Sequence, residues 1–164
     1  MSAPLLVADS GPLTALARPE QVAVPAGLFG ELLVTATVWH EVARDPRTAE
    51  QAGLSAAFAG GLLRVEDDPI RIPSALAQVR LDDGERSALA LALLRGATVL
   101  VDERQGRARA VDLGLHVLGT LGLRVRARER SLIDRVRPLA DALLASGYYR
   151  AHPLVDRTLA AIGE

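Results

Sequence analysis

LLVADSGPLTALA, residues 5–17, joins a continuously apolar run, a carboxylate and a Ser-Gly-Pro turn that opens a helical pattern. The run over 4–9 reads as a strand buried on both faces, since nothing polar interrupts it. Pro12 suits the first turn of a helix over 12–18, where its missing N–H has no partner to lose. A buried strand that finishes on Asp9 raises the question of what the acid does there.

Working outward, strands and helices alternate. ELLVT (31–35) reads as a second strand, and TVWHEVAR (37–44) as a helix with Thr35 or Thr37 as its cap. Residues 19–30 are ambiguous: Pro25 and Gly27 break the pattern, which suggests two short helical pieces. A helix over 46–60 stops at Gly60-Gly61, and LLRV (62–65) reads as a third strand. A loop with two prolines and a short helix near 74–79 follow. DDGERSALALALLRG (82–96) is the clearest helix, capped by Asp, apolar along one face and stopped by Gly96. ATVLVDE (97–103) reads as a fourth strand, 104–114 as a helix and HVLG (116–119) as a fifth strand. Helices then fill 120–130, 134–146 and 153–162.

Alternation with continuously apolar strands indicates a parallel sheet covered on both faces. The expectation is an α/β, doubly wound, three-layer fold with a five-stranded parallel sheet. It forms a single domain over 1–164, with a helical C-terminal extension from about 120.

Composition narrows the chemistry. Aromatics make up 3% of the chain, so the core is built from Leu, Val, Ile and Ala. No cysteine is present, which excludes disulfides and thiolate metal sites. The N-terminus lacks the basic and apolar regions of a signal peptide, and no apolar stretch is long enough to span a bilayer, so a cytoplasmic protein is expected. All 19 basic residues are arginine. Residues 1–100 hold 8 Arg against 12 acids, whereas 101–137 hold 9 Arg against 5 acids. A basic segment beside acidic candidates suits a polyanionic substrate, and a solvated helix face explains it equally well.

Open α/β sheets bind ligands outside the carboxyl ends of their strands, at a topological switch point. Two strands end in acid at that edge, at Asp9 and at Asp102-Glu103. If strands 1 and 4 are neighbours, those ends lie about 5 Å apart. Carboxylates that close repel one another, and a divalent cation relieves the repulsion. Glu85, opening the helix that feeds strand 4, and Glu41, in the helix after strand 2, can join the corner. Each acid also has a structural alternative: a helix cap for Asp9 and for Asp102, a capping box with Asp82 for Glu85, and an ion pair with Arg44 for Glu41. Asp82 and Asp83 suit caps, and Asp112 falls roughly 12 Å too far along its helix. Ser10 suits either the turn or a role beside Asp9. Arg104 and Arg107 stand on the helix after Asp102, where guanidinium groups can hold substrate phosphate.

Four stretches, in order, resemble one known family. VADSGPLTALAR (7–18) is similar to an opening motif of Asp, Ser or Thr, a small residue and Pro-Leu. LLVTATVWHEVAR (32–44) is similar to a strand and helix carrying an acid before Val. LDDGERSALALALLRGATVLVDERQGRARA (81–110) is similar to Gly-Glu opening a helix, then a strand ending in paired acids. LGLHVLGTLGLRVRARERSLIDRVRPLADALLASGYY (113–149) is similar to the tail, with its Gly-Thr-Leu-Gly turn. Together they resemble the PIN-domain family, in its VapC-like branch of small prokaryotic proteins. The resemblance implies a metal-dependent ribonuclease using Mg²⁺ or Mn²⁺. Its acidic cluster falls on Asp9, Glu41, Glu85 and Asp102, with Glu103 competing with Asp102 as ligand. Glu85 departs from the Asp of many toxin members but still offers oxygen ligands. RNA is the implied substrate. An antitoxin protein and a homodimer are implied partners that no residue of the chain itself signals.

Rival α/β chemistries lack their residues here. A receiver domain needs a pocket lysine, a dehalogenase-type phosphatase needs Asp-x-Asp after strand 1, and a dinucleotide fold needs Gly-x-Gly-x-x-Gly. The remaining alternative is a non-catalytic module of the same fold that binds RNA or a partner protein.

Overall fold

Five strands pair in parallel in the order β3-β2-β1-β4-β5: β1 (Leu5–Ala8), β2 (Glu31–Thr35), β3 (Arg64–Glu66), β4 (Thr98–Leu100) and β5 (Val117–Leu118). The computed structural model describes residues 4–17, 19–44, 48–150 and 152–164. The chain builds outward from β1 to β3, then returns to lay β4 against the other side of β1, which makes the β1–β4 seam the switch point. Val7 pairs with Leu33 on one side and Val99 on the other, and all three are buried. Such strands must be apolar on both faces, as their sequences are.

The connecting helices are α1 (Ser10–Ala15), α2 (Pro19–Phe29), α3 (Ala36–Val42), α4 (Ala49–Ala59), α5 (Ser74–Ala77), α6 (Asp83–Arg95) and α7 (Arg104–Asp112). The expected pair of short pieces over 19–30 is one helix with Pro25 inside it. An interior proline costs about 3 kcal/mol. Burying Val22, Val24 and Phe29 returns about 1.5–3 kcal/mol each, so packing wins. The strand expected over 62–65 is shifted to Arg64–Glu66, and the one expected over 97–103 shrinks to Thr98–Leu100. The helix expected from 46 begins after a Thr48 cap, and its first two expected residues lie outside the described range.

Helix α6 is the centre of this unit. It packs on α3, β1, β2 and β4, and it buries every residue from Ser87 to Ala92 rather than a single face. Asp82 caps its start, and Gly96, at φ 62°, ends it in the left-handed conformation that glycine adopts without strain. One buried relay ties α6 to α3. The Val38 N–H donates to Thr35 Oγ1, which lies 2.7 Å from Ser87 Oγ, and Ser87 Oγ donates to the Gly84 carbonyl at 2.9 Å. Because the Ser87 proton goes to Gly84, the Thr35 hydroxyl is the donor between them. Thr35→Val removes the α3 cap and the hydrogen bond that Ser87 Oγ accepts, and it is expected to cost about 1–3 kcal/mol in chemical denaturation.

Residues 120–164 form a second compact unit. Its helices α8 (Thr120–Glu129), α9 (Arg137–Ala145) and α10 (His152–Ala161) enclose Leu121, Val136, Ala140, Val155 and Leu159. The Glu164 carboxylate accepts from the Val136 and Arg137 N–H groups at 2.8–3.2 Å and pairs with Arg128. These partners hold its pKa below the usual carboxylate range. No helix among the described residues is long and apolar enough to cross a membrane.

Candidate functional site

Asp9 is the first residue past β1. Its N–H donates to the Leu100 carbonyl at 3.0 Å, which fastens the end of β1 to β4. It holds the N-cap position of α1 with extended backbone, yet its side chain makes no cap hydrogen bond to that helix. The capping alternative therefore does not explain this acid. Asp9 is 7% exposed, and its Oδ1 has no hydrogen-bond partner among the described residues. Burial raises its pKa to about 6, helped by the charges of Asp82, Glu41 and Asp102 and opposed by a hydrogen bond from the Ser10 N–H.

Glu85 sits in the first turn of α6, and its capping-box alternative is realised. Asp82 Oδ1 accepts from the Glu85 N–H at 2.7 Å, and the Glu85 carboxylate accepts in return from the Asp82 N–H. The same carboxylate reaches across to Gly106 in α7. Burial, then Asp82, Asp9 and Glu103, raise its pKa to about 7. Glu85 is thus at once a cap and part of the acidic corner.

Glu41 is half-buried on α3, its carboxylate against Gly84 at the start of α6. Arg44 is exposed, and no ion pair joins the two among the described residues. Beyond β4, the paired acids divide their work. Glu103 is exposed and caps α7, its Oε2 accepting from the Gly106 N–H at 2.8 Å. Asp102 is half-buried and lies with Arg107 against Gly119 at the end of β5.

The remaining predicted residues take different places. Ser10 opens α1, and its carbonyl accepts from the Thr14 hydroxyl at 2.9 Å. Arg104 is exposed at the start of α7. Arg107 is half-buried and turned inward, its Nη1 donating to the Val101 carbonyl at 3.1 Å. Arg124, Arg126, Arg128 and Arg130 alternate along the start of the C-terminal region, but Arg124 is buried whereas Arg126 and Arg130 are exposed, so no shared patch forms.

Two contributors were not expected from the sequence. Asp82, read only as a cap, is the strongest charge acting on both Asp9 and Glu85. Arg86 Nη2 donates to the carbonyls of Val79 and Leu81, which holds the loop that carries Asp82. A groove of about 640 Å³ opens beside the corner, bordered by Asp82, Glu85 and Glu103 and by Gln78, Arg80 and Gln105. Nothing in the spacing of these residues announces the groove, because α5 and the loop behind it bring them together.

The donor set consists of carboxylate oxygens, which suits a hard divalent cation that keeps several of its waters. The buried, unpartnered Asp9 Oδ1, and the burial and neighbouring negative charge that raise two acids, fit such an ion. The carboxylates surround the corner without converging, and no three acids or histidines among the described residues stand close enough to hold a metal in this arrangement.

No curated protein matches the chain. A family model described as PIN domain matches residues 5–164, a span that takes in the sheet, the acidic corner and the C-terminal helices. PIN domains are nuclease-type proteins as a class. With that match covering nearly its whole length, the chain belongs to the PIN-domain family.

Proposed function

We propose that the chain is a divalent-metal-dependent ribonuclease that hydrolyses RNA phosphodiester bonds. The observation that carries this reading is Asp9, a buried carboxylate at the β1–β4 switch point with one oxygen unpartnered among the described residues. Stability alone gives no reason to bury a charge there. Asp9 and Asp102, with Glu85 beside them, are the groups that would hold Mg²⁺ or Mn²⁺, while Glu103, the competing ligand, is engaged as the α7 cap. A bound divalent ion supplies charge for the phosphate and lowers the pKa of a water.

The chain's own residues supply the rest. Glu85, raised to about 7, changes protonation near neutral pH and is suited to accept or return a proton. Glu41 adds negative charge from the α3 side and is the second candidate for that task. The Ser10 N–H holds one side of the Asp9 carboxylate. Arg104 offers exposed donors to substrate phosphate. Arg107 has Nη1 engaged at the Val101 carbonyl, and its guanidinium carries further N–H donors. A toxin role with an antitoxin partner, a homodimer and a cytoplasmic location extend the proposal on family resemblance alone.

One observation favours the second reading, a non-catalytic module that binds RNA or a partner protein: the carboxylates do not converge on a single point. Calorimetric titration of the protein with Mn²⁺ separates the two. Binding is expected at pH 8, weakening about tenfold per pH unit below pH ~6 as protons compete for Asp9. Absence of binding at pH 8 would overturn the enzyme reading. The sign for stability is opposite. Asp9 and Glu85 bind protons more tightly folded than unfolded, so their contribution is fully present below pH ~4 and is lost as pH rises to about 6 for Asp9 and about 7 for Glu85. For Asp9 this amounts to about 3 kcal/mol in the metal-free protein, measurable by urea denaturation across that range.

A further inference from the structure

We propose that Gly84 and Gly106 are positioning residues: each, by lacking a Cβ, reserves the volume in which a site carboxylate stands, Glu41 at Gly84 and Glu85 at Gly106. This rests on the ribonuclease reading for its consequence but not for its geometry. A Cβ built on Gly84 would lie 2.5 Å from Glu41 Oε2 and 2.8 Å from Oε1. A Cβ on Gly106 would lie 2.9 Å from Glu85 Oε1 and 3.0 Å from Val101 Cγ2. Neither glycine has a positive φ, unlike Gly96 and Gly114, where a Cβ would meet nothing within 4 Å. The chain therefore holds two kinds of glycine. Gly96 and Gly114 supply a backbone conformation, whereas Gly84 and Gly106 supply space.

Local propensity argues against glycine at both sites. Each lies in the first turn of a helix, where alanine is the better helix former. What fills the reserved space is decisive. At Gly84 it is the far end of a flexible side chain, so a methyl group would push the carboxylate and leave the backbone in place. At Gly106 the Val101 methyl must also give slightly. The two seats connect the site from element to element: an acid of α3 rests on α6, and an acid of α6 rests on α7. Gly119 repeats the pattern at the strand ends, where a Cβ would lie 2.6 Å from Arg107 Nη1 and 3.0 Å from Asp102 Oδ1.

The test uses Gly84→Ala and Gly106→Ala in the full chain, with three measurements. Crystal structures of the metal-free variants are expected to keep α6 and α7 in place. In Gly84→Ala the Glu41 carboxylate should move by about 0.9 Å or more, the distance from 2.5 Å to ordinary contact at 3.4 Å. Thermal unfolding is expected at an unchanged or higher temperature, and Mn²⁺ affinity is expected to fall about 10–100-fold. In a Glu41→Gln background, Gly84→Ala should add no further loss, because the two changes act through one group. Carboxylates that stay in place, parental Mn²⁺ affinity in both variants, or an equal added loss in the Glu41→Gln background would each overturn the proposal. If the parent protein binds no metal, the ribonuclease reading fails instead, and the metal-free crystal structures still decide whether the glycines reserve this space.

Discussion

Asp9→Asn is expected to lower metal-dependent RNA cleavage by about 10²–10³-fold or more, the scale of removing one preorganised charge from a reaction centre. The same substitution is expected to make the metal-free protein harder to unfold. Asp9 is buried, its pKa is pushed up to about 6, and one oxygen has no partner among the described residues. At pH 8 the ionised group opposes folding, and a neutral amide of the same shape removes that opposition while keeping an acceptor for the Ser10 N–H. The gain is about 1–3 kcal/mol, read from urea denaturation without metal. A purely structural carboxylate behaves in the opposite way: its replacement weakens the fold. Loss of cleavage together with loss of stability would therefore count against a functional role for this acid.

Asp102→Asn and Glu103→Ala should separate two neighbours that the sequence left equivalent. Glu103 holds the Gly106 N–H at 2.8 Å and is exposed, so its removal costs the α7 cap, about 1 kcal/mol in denaturation. Cleavage should stay within a few-fold of the parent. Asp102 is half-buried beside Gly119, and its charge helps raise Asp9. Asp102→Asn is expected to lower kcat/KM by about 10²-fold, with little change in the unfolding midpoint. The reverse pattern, a strong activity loss at Glu103 and none at Asp102, would move the ligand to Glu103.

The fold was legible because parallel strands buried on both faces leave a simple trace: short apolar runs between helical patterns. That trace also placed Asp9 and the Asp102-Glu103 pair at one edge, and the β1–β4 pairing makes them neighbours. Boundaries were harder to read. The apolar run of strand 4 continues through Val101, but pairing ends where β1 and β5 end, so β4 stops at Leu100. Helix α6 looked one-sided, yet it sits in the middle of its unit and hides Ser87 among its alanines and leucines. The split between Asp102 and Glu103 was not legible either, since both can cap a helix starting at Arg104 and only the backbone geometry decides. For Glu85 the sequence offers the capping box and the acidic corner as alternatives, but one carboxylate does both. Asp82 carried the same ambiguity, and its reach to Asp9 depends on a loop held by Arg86. The seats at Gly84 and Gly106 lay beyond sequence reasoning, because spacing does not tell which side chain approaches a glycine from another element.

The most direct measurement is incubation of a mixed single-stranded RNA pool with the purified protein and Mg²⁺ or Mn²⁺, beside chelator and Asp9→Asn controls. Cleavage that requires the metal, disappears with Asp9→Asn and leaves no 2′,3′-cyclic phosphate ends is the expected result, since water rather than the RNA 2′-hydroxyl is the attacking group. RNA left intact at every metal concentration, or cleavage that survives both chelation and Asp9→Asn, would contradict a metal-dependent nuclease site at the β1–β4 seam.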